Sequence, residues 1–236
     1  MTGRILTLLL AVAALAGSPV PLRGGDCASC HQARGVTERA PEIKPIPLRS
    51  GGAVRTVSLE DVFRYHSHSC PGATTTFKAL QYGLELLFQG DIPDVEDLAV
   101  LSRTPVEGVR DTLDYILTGG DEIRETPAPE GMKAGRDKFF YTLLRKSTGT
   151  AVDVQLKPEH YPENFYPYKK KQAEGALSPE EWEVLHGYMK DIILKFPAMP
   201  FEELFGRPEP YRFLFWGDLS RQYNRAGAAG PGPASD

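Results

Sequence analysis

Two short segments of the sequence combine residue types that bind metals or cofactors. Residues 27–31 read Cys-Ala-Ser-Cys-His, and residues 66–72 read His-Ser-His-Ser-Cys-Pro-Gly. Thiolate sulfur and imidazole nitrogen are the protein ligands that suit zinc, iron and copper, and a thiolate is also a nucleophile. The local patterns around each segment indicate which of these chemistries it can support.

The first segment has the Cys-x-x-Cys-His pattern of c-type haem attachment. Cys27 and Cys30 are spaced by one helical turn, so both thiols can form thioethers with haem vinyl groups while His31 binds the iron as proximal ligand. We therefore predict haem c here. A structural disulfide, a thioredoxin-like redox motif and half of a zinc site are the alternatives. A thioredoxin-like redox motif follows a strand in a βαβ unit. A zinc site needs a second pair of ligands, and the chain has no second Cys-x-x-Cys.

The first sixteen residues resemble a secretory signal peptide. Arg4 precedes an apolar run from Ile5 to Ala13, and small residues come before Gly17, where a signal peptidase would cut. Because the run is short for a bilayer, we expect a periplasmic protein with no stable membrane span after cleavage. An uncleaved signal would instead tether the protein to the membrane. The chain has three cysteines, and because this number is odd, the sequence does not indicate a small protein held together by disulfides.

The composition is that of one globular domain with appendages. The chain has 236 residues, of which 41% are hydrophobic and 25% charged, and its formal net charge is −4. This net negative charge does not indicate a basic surface that could bind nucleic acid, so we expect no nucleic-acid partner. A haem protein of this kind would exchange electrons with a redox partner protein in the periplasm. The oligomeric state, a homodimer included, is left open.

The second segment places a cysteine at the predicted start of a helix. Pro71 suits the first helical position, which makes Cys70 the N-cap, and apolar side chains recur with helical spacing over residues 73–89. The positive end of the helix dipole favours a thiolate at that position. With His66 and His68 close by, the group is either a metal-ligand set or a nucleophile with a histidine base. The structural alternative is that Cys70 is a small buried hydrophobic residue.

The stretch 66–72 and the amphipathic helix after it resemble the FmdE-like family, which takes its name from a component of formylmethanofuran dehydrogenase and has the signature H-x-H-x-C-P-G. The similarity continues through residues 111–120 and 135–140 and into a helix ending near residues 201–205, so that it runs from roughly Leu59 to Arg207. The resemblance implies an α+β domain that holds a metal, expected to be zinc, at Cys70 with His66 or His68 close by.

This chain departs from the family pattern at two places near the signature. Many members have a glycine between the signature histidines, where this chain has Ser67. Many also have a second cysteine after a Thr-Gly step, where residues 118–121 read Thr-Gly-Gly-Asp. If that cysteine is a ligand in the relatives, Asp121 or a water would replace it here and make the metal site harder and weaker.

Local signals predict the elements that carry these residues. A short helix follows Ser58, a capping box at Thr104 opens a helix that stops at residues 119–120, and a capping box at Ser178 opens a helix to about Phe196. Residues 139–144 and 151–156 form a predicted hairpin. Strands and helices occur without βαβ alternation, so we expect an α+β domain with a mixed sheet and packed helices.

The predicted boundaries divide the chain into four parts. Residues 1–16 are the signal peptide, and the Pro-containing residues 17–50 form an irregular segment that carries the haem motif. Residues 51–207 form the FmdE-like domain, and residues 208–236 form a tail that becomes disordered from about residue 226.

The distal haem ligand has three candidates, and none dominates. Met199 precedes a proline, a pairing that resembles the distal position of c-type cytochromes, and His160 lies in a predicted loop. His186 shares an apolar helix face with Trp182, which favours a core histidine. A five-coordinate or partner-ligated iron also stays open.

Taken together, the motifs predict an exported c-type haem protein with an FmdE-like metal-binding domain. Such a protein would act in periplasmic electron transfer, as a component of an oxidoreductase system. Two alternatives stay open: a metal-binding or metal-sensing module without haem, and an enzyme that uses Cys70 as its nucleophile.

Overall fold

The computed structural model describes residues 43–120 and 128–217. The predicted signal peptide, the haem motif of Cys27, Cys30 and His31, Asp121 and the terminal residues 218–236 lie outside the described residues. The predictions for those positions are therefore not tested by the fold.

The described residues form six strands and six α-helices. In chain order they are β1 (Ile46–Ser50), β2 (Ala53–Val57), α1 (Leu59–Tyr65), α2 (Pro71–Phe88), β3 (Leu98–Ser102), α3 (Glu107–Thr118), β4 (Phe140–Arg145), β5 (Thr150–Gln155), α4 (Phe165–Ala173), α5 (Pro179–Lys195), α6 (Phe201–Phe205) and β6 (Tyr211–Arg212).

The strands make two antiparallel sheets. β1 and β2 form a hairpin, and the second sheet has the order β3-β4-β5-β6. An isolated parallel bridge joins Arg49 of β1 to Asp94. The predicted α+β class is confirmed. The predicted hairpin is confirmed as β4 and β5, with Leu143 opposite Val152.

Helix α2 is the centre of the domain. Fifteen of its 18 residues are buried, and it packs against α3, α5 and β5. A Cβ added at Gly83 would lie 2.7 Å from Leu143 Cδ2, so the helix lies directly on strand β4. A helix that is buried on all sides must be positioned by its neighbours, and its first residue, Pro71, is therefore fixed in the core.

Three of the four predicted helix starts are confirmed, including that of α2 at Pro71. Capping boxes open α1, with Ser58 and Asp61, and α5, with Ser178 and Glu181. The predicted capping box at Thr104 is wrong, because α3 begins at Glu107 with Val106 as its N-cap and no side-chain cap.

The sequence around Thr104 forms a local turn instead of a cap. The Thr104 hydroxyl accepts a hydrogen bond from the amide of Val106, at 3.4 Å, and this turn precedes the helix. The predicted end of α3 is confirmed, since Gly119 adopts the left-handed conformation with φ of 85°.

The first strand of the β1–β2 hairpin lies in a segment for which the sequence predicts irregular structure. The irregular segment was predicted to reach residue 50, but Ile46–Ser50 form a strand that includes Pro47. A two-stranded sheet has only edge strands, and proline is tolerated at an edge. Arg55 of this hairpin donates hydrogen bonds to the carbonyls of Tyr115, at 3.1 Å, and Ile116, which anchors the end of α3.

Across residues 43–120 and 128–217, none of the helices is both long enough and apolar enough to cross a membrane.

Candidate metal centre

His66, His68 and Cys70 converge where α1 ends and α2 begins. One potential ligand atom from each residue lies within 4.8 Å of the other two. His66 is the C-cap of α1, and Cys70 is the N-cap of α2 with Pro71 in the first turn, as predicted. His66 and Cys70 are buried and His68 is half-buried, so His68 is the member of the group nearest to solvent.

The turn between the two helices depends on a left-handed residue. Ser67 has a φ of 71°, one of two positive φ values among the described non-glycine residues. This reversal brings the rings of His66 and His68 together, with centroids 4.2 Å apart. Because a side chain is disfavoured in this conformation, the position suits glycine better than serine.

Asp111 of α3 orients the ring of His66. The side chain of His66 is fully buried, and its Nδ1 lies 2.6 Å from Asp111 Oδ2. A carboxylate accepts, so Nδ1 carries the proton and donates, and in the neutral imidazole Nε2 keeps its lone pair. This is the arrangement of metal-binding histidines, in which a carboxylate fixes the tautomer and raises the basicity of the ligating nitrogen.

A second carboxylate on α3 holds the residue before His66. The hydroxyl of Tyr65 donates to Asp114 Oδ2 at 2.7 Å, and the ring of Tyr65 packs against Tyr115 with centroids 5.1 Å apart. Burial raises the pKa of Tyr65, and the hydrogen bond to Asp114 raises it further, so the hydroxyl stays a donor. Tyr65 and His66 are thus bound to successive turns of α3.

Gly108, in the first turn of α3, closes the site from the other side. A Cβ at this position would lie 2.6 Å from Cys70 Sγ and 3.3 Å from His66 Nε2. Both atoms therefore face the same point on α3, and only a glycine leaves them room. Gly108 and Asp111 together make α3 the wall against which the sulfur and the nitrogen meet.

Two threonines in the first turns of α2 contact the hydroxyls of buried tyrosines. Thr75 and Thr76 of α2 share hydrogen bonds with the hydroxyls of Tyr161, at 3.2 Å, and Tyr141, at 2.9 Å. Burial raises the pKa of Tyr161 well above its ordinary value, and the neighbouring Tyr166 and Cys70 add to this effect. Burial also raises the pKa of Tyr141. Cys70 itself is 3% exposed, at the N-terminal end of α2, whose partial positive charge favours a thiolate.

The three candidates for a distal haem ligand lie on different elements, away from this group. Nε2 of His160 donates to the carbonyl of Glu203, at 2.8 Å. His186 is half-buried and stacks on Trp182, with centroids 5.9 Å apart. Met199 is half-buried and packs against the core. Since Cys27, Cys30 and His31 lie outside the described residues, their relation to these three side chains stays a prediction.

Sequence reasoning found the three clustered residues but missed the two on α3. His66, His68 and Cys70 are neighbours in the chain, so their spacing alone suggests a common site. Asp111 falls in the stretch that resembles the FmdE-like family, but nothing in the local pattern assigns it to His66. Gly108 gives no signal in the sequence beyond being a glycine in the first turn of a helix.

The comparison with known families covers this site. The family model described as "FmdE, Molybdenum formylmethanofuran dehydrogenase operon" matches residues 65–206. No curated protein matches the chain. The matched residues are more than half of the 236-residue sequence, and they include the His66–Cys70 segment and all of α3. The chain therefore belongs to the FmdE family.

Proposed function

We propose that this domain binds one divalent transition-metal ion, preferably zinc, through His66 Nε2, a ring nitrogen of His68 and Cys70 Sγ. The observation that carries the proposal is the convergence of three donor atoms within 4.8 Å of one another. The contact between His66 Nδ1 and Asp111 supports it, because it leaves Nε2 as the nitrogen whose lone pair can bind a metal.

The donor set suits zinc in both chemistry and spacing. Zinc takes imidazole nitrogen at about 2.0–2.1 Å and thiolate sulfur at about 2.3 Å, so tetrahedral geometry puts neighbouring ligand atoms roughly 3.3–3.6 Å apart. The three atoms of this site, all within 4.8 Å, need only small inward movements to reach that spacing. Imidazole and thiolate together favour zinc over magnesium or calcium, which prefer oxygen ligands.

Three protein ligands would leave a fourth position for an exogenous ligand. Zinc sites that are purely structural are closed by four protein ligands, whereas catalytic sites keep one position open. The missing second cysteine at residues 118–121 is consistent with an open site in this chain. A bound metal would supply Lewis acidity at this position.

The competing proposal is an enzyme in which Cys70 is a metal-free nucleophile. The two proposals differ in what binds the Cys70 sulfur, because the nucleophile of the second proposal is free of metal. They also differ in the role of Asp111. For a nucleophile, His66 would act as base and Asp111 would orient it. For a metal site, Asp111 raises the affinity of the histidine for the ion.

Cobalt substitution tests the metal proposal directly. The full chain, stripped with a chelator, should take up one equivalent of Co²⁺ and show a thiolate-to-cobalt charge-transfer band in the near ultraviolet. Cys70→Ser should lose this band and bind zinc at least tenfold more weakly. His160→Ala is the matched control, because His160 Nε2 is bonded to the carbonyl of Glu203 and lies outside the group. Unchanged stoichiometry and affinity in Cys70→Ser would refute the proposal.

The Cys27-x-x-Cys30-His31 motif supports a second proposal, that the chain is an exported c-type haem protein. In it, His31 binds the iron and the haem exchanges electrons with a periplasmic redox partner. The chain made in a host with periplasmic haem-attachment machinery should show a Soret band and a pyridine haemochrome of the two-thioether type. The colour should survive denaturation and decline in Cys27→Ser or Cys30→Ser. A colourless product from that host would refute this proposal.

A further inference from the structure

A cavity lies beside the part of α2 that follows the metal-binding group. It has a volume of about 780 Å³ and is bounded by residues 43–47, by residues 78–93, and by Pro197 and Phe201. Its walls are mostly apolar, with Ile43, Ile46 and Leu84 among them. This volume is in the range of small-molecule sites, which combine apolar walls with few polar groups.

The polar group of interest in this cavity is a buried lysine. Lys78 is 5% exposed although it carries an ammonium group. Its Nζ donates to the carbonyl of Pro197 at 3.1 Å and lies 4.3 Å from the centre of the Phe201 ring. An ammonium has three N–H donors. The carbonyl takes one and the ring face attracts another, which leaves one N–H without a partner among residues 43–120 and 128–217.

No acid balances the charge of Lys78 within the described part of the chain. Burial lowers the pKa of Lys78, and no charged neighbour contributes to this shift. Glu85 and Asp91 also border the cavity, but neither is paired with Nζ. A buried cation without a counter-ion is costly, and an anion that enters the cavity would recover part of that cost.

We propose that this cavity binds a small organic acid with an apolar body, its carboxylate paired with Lys78 Nζ and its body against the walls formed by Ile46, Leu84 and Phe201. Of the two lysines that border the cavity, Lys44 is exposed and Lys78 is buried, so one buried ammonium is available to pair with a monoanion. The carboxylates of Glu85 and Asp91 would repel a doubly charged phosphate from the same cavity. Because apolar walls require an apolar ligand, the proposed class is a monocarboxylic acid with a hydrocarbon chain or ring.

This site is separate from the metal-binding group. Lys78 follows Cys70 by eight positions on one helix, which corresponds to about 12 Å along the axis. The proposal therefore does not depend on metal binding, and chelator-treated protein is suitable for the test.

Octanoate and 1-octanol are probes that differ in the carboxylate. Isothermal titration of the full chain should show one octanoate bound, and Lys78→Met should weaken that binding at least tenfold while leaving the weaker binding of 1-octanol unchanged. Lys157→Met is the matched control, because Lys157 Nζ also donates to a backbone carbonyl, that of Glu202 at 3.0 Å, but lies outside the cavity. This control should bind octanoate like the wild type.

A measurement on the wild-type chain covers the case in which Lys78→Met does not fold. Reductive ¹³C-methylation of lysines gives one NMR signal for each modified amine, and octanoate should shift or protect the signal assigned to Lys78 while the Lys157 signal stays in place. The proposal is overturned if octanoate does not bind the full chain, which includes the case of another segment filling the cavity. It is also overturned if octanoate binds without any effect on the Lys78 signal.

Discussion

Replacing Gly108 by alanine should disrupt the metal centre more than the fold. The added methyl carbon would lie 2.6 Å from Cys70 Sγ, 3.2 Å from the amide nitrogen of Ala73 and 3.3 Å from His66 Nε2. Non-bonded heavy atoms are ordinarily about 3.5 Å or more apart, so the Cys70 sulfur would have to move away from the added carbon by roughly 0.9 Å. Metal sites tolerate errors of only about 0.2 Å in ligand distance, and we therefore expect zinc affinity to fall at least tenfold.

The cost to folding should be smaller, because two effects oppose each other. Overpacking of a buried site costs about 1–3 kcal/mol, whereas alanine in place of glycine inside a helix gains about 0.5–1 kcal/mol. The expected net loss in the free energy of unfolding is about 1–2 kcal/mol. Zinc titration by calorimetry and urea denaturation, both on chelator-treated protein, separate the two quantities.

Two other glycines serve as matched controls. Gly187 on α5 has no atom within 4 Å of an added Cβ, so Gly187→Ala should stabilise the fold slightly and leave zinc affinity unchanged. At Gly83 the added Cβ would lie 2.7 Å from Leu143 Cδ2, so Gly83→Ala should destabilise the core without changing zinc affinity. If Gly108→Ala binds zinc within twofold of the wild type, the argument that α3 defines the site is wrong.

Three further predictions follow from the surroundings of the site. Asp111→Ala should lower zinc affinity by about 10–100-fold in calorimetry. Asp111→Asn should lower it less, because the amide oxygen can still accept a hydrogen bond from His66 Nδ1. Equal affinities in both variants and the wild type would contradict this. Ser67→Gly should raise the free energy of unfolding by up to about 1 kcal/mol in urea titrations, since a left-handed residue with a side chain costs about 1–2 kcal/mol and glycine loses about 0.5–1 kcal/mol through greater freedom in the unfolded chain. Burial raises the pKa of Asp61, but hydrogen bonds from Ser58 and Arg64 outweigh it and hold the pKa below its ordinary value of 3.8. The stability that Asp61 adds is thus present above pH 3.8 and is lost as the pH falls through the lower folded-state pKa. The free energies of unfolding of the wild type and Asp61→Asn should therefore converge in acid. A constant difference between them from pH 6 to pH 2 would refute the assignment.

Sequence patterns were sufficient where the relevant contacts are local. His66, His68 and Cys70 are separated by single residues, and Ser178 caps a helix through an amide three residues away. The β4–β5 hairpin is likewise a contact between neighbours in the chain. In each case the interaction that determines the structure lies within the window from which the pattern was read.

Contacts between distant residues were outside the reach of those patterns. Asp111 meets His66 across 45 positions, and Lys78 meets the Pro197 carbonyl across 119. Helical periodicity alone would place a lysine at the surface, and the burial of Lys78 results from the later segment that folds over it. At Thr104 the sequence was compatible with both a helix cap and a local turn, and the tertiary structure selects the turn.

The near-complete burial of α2 has a consequence for the kinetics of the metal centre. A helix enclosed along its length does not open locally, so its amide hydrogens should exchange with solvent only when the whole domain unfolds. Local opening of α2 would then not separate the Cys70 sulfur from a bound ion. Capture and release of an ion would depend on the short turn from His66 to Ser69, in which His68 is the member of the group nearest to solvent. The lifetime of the bound ion would therefore depend on how often this four-residue turn opens.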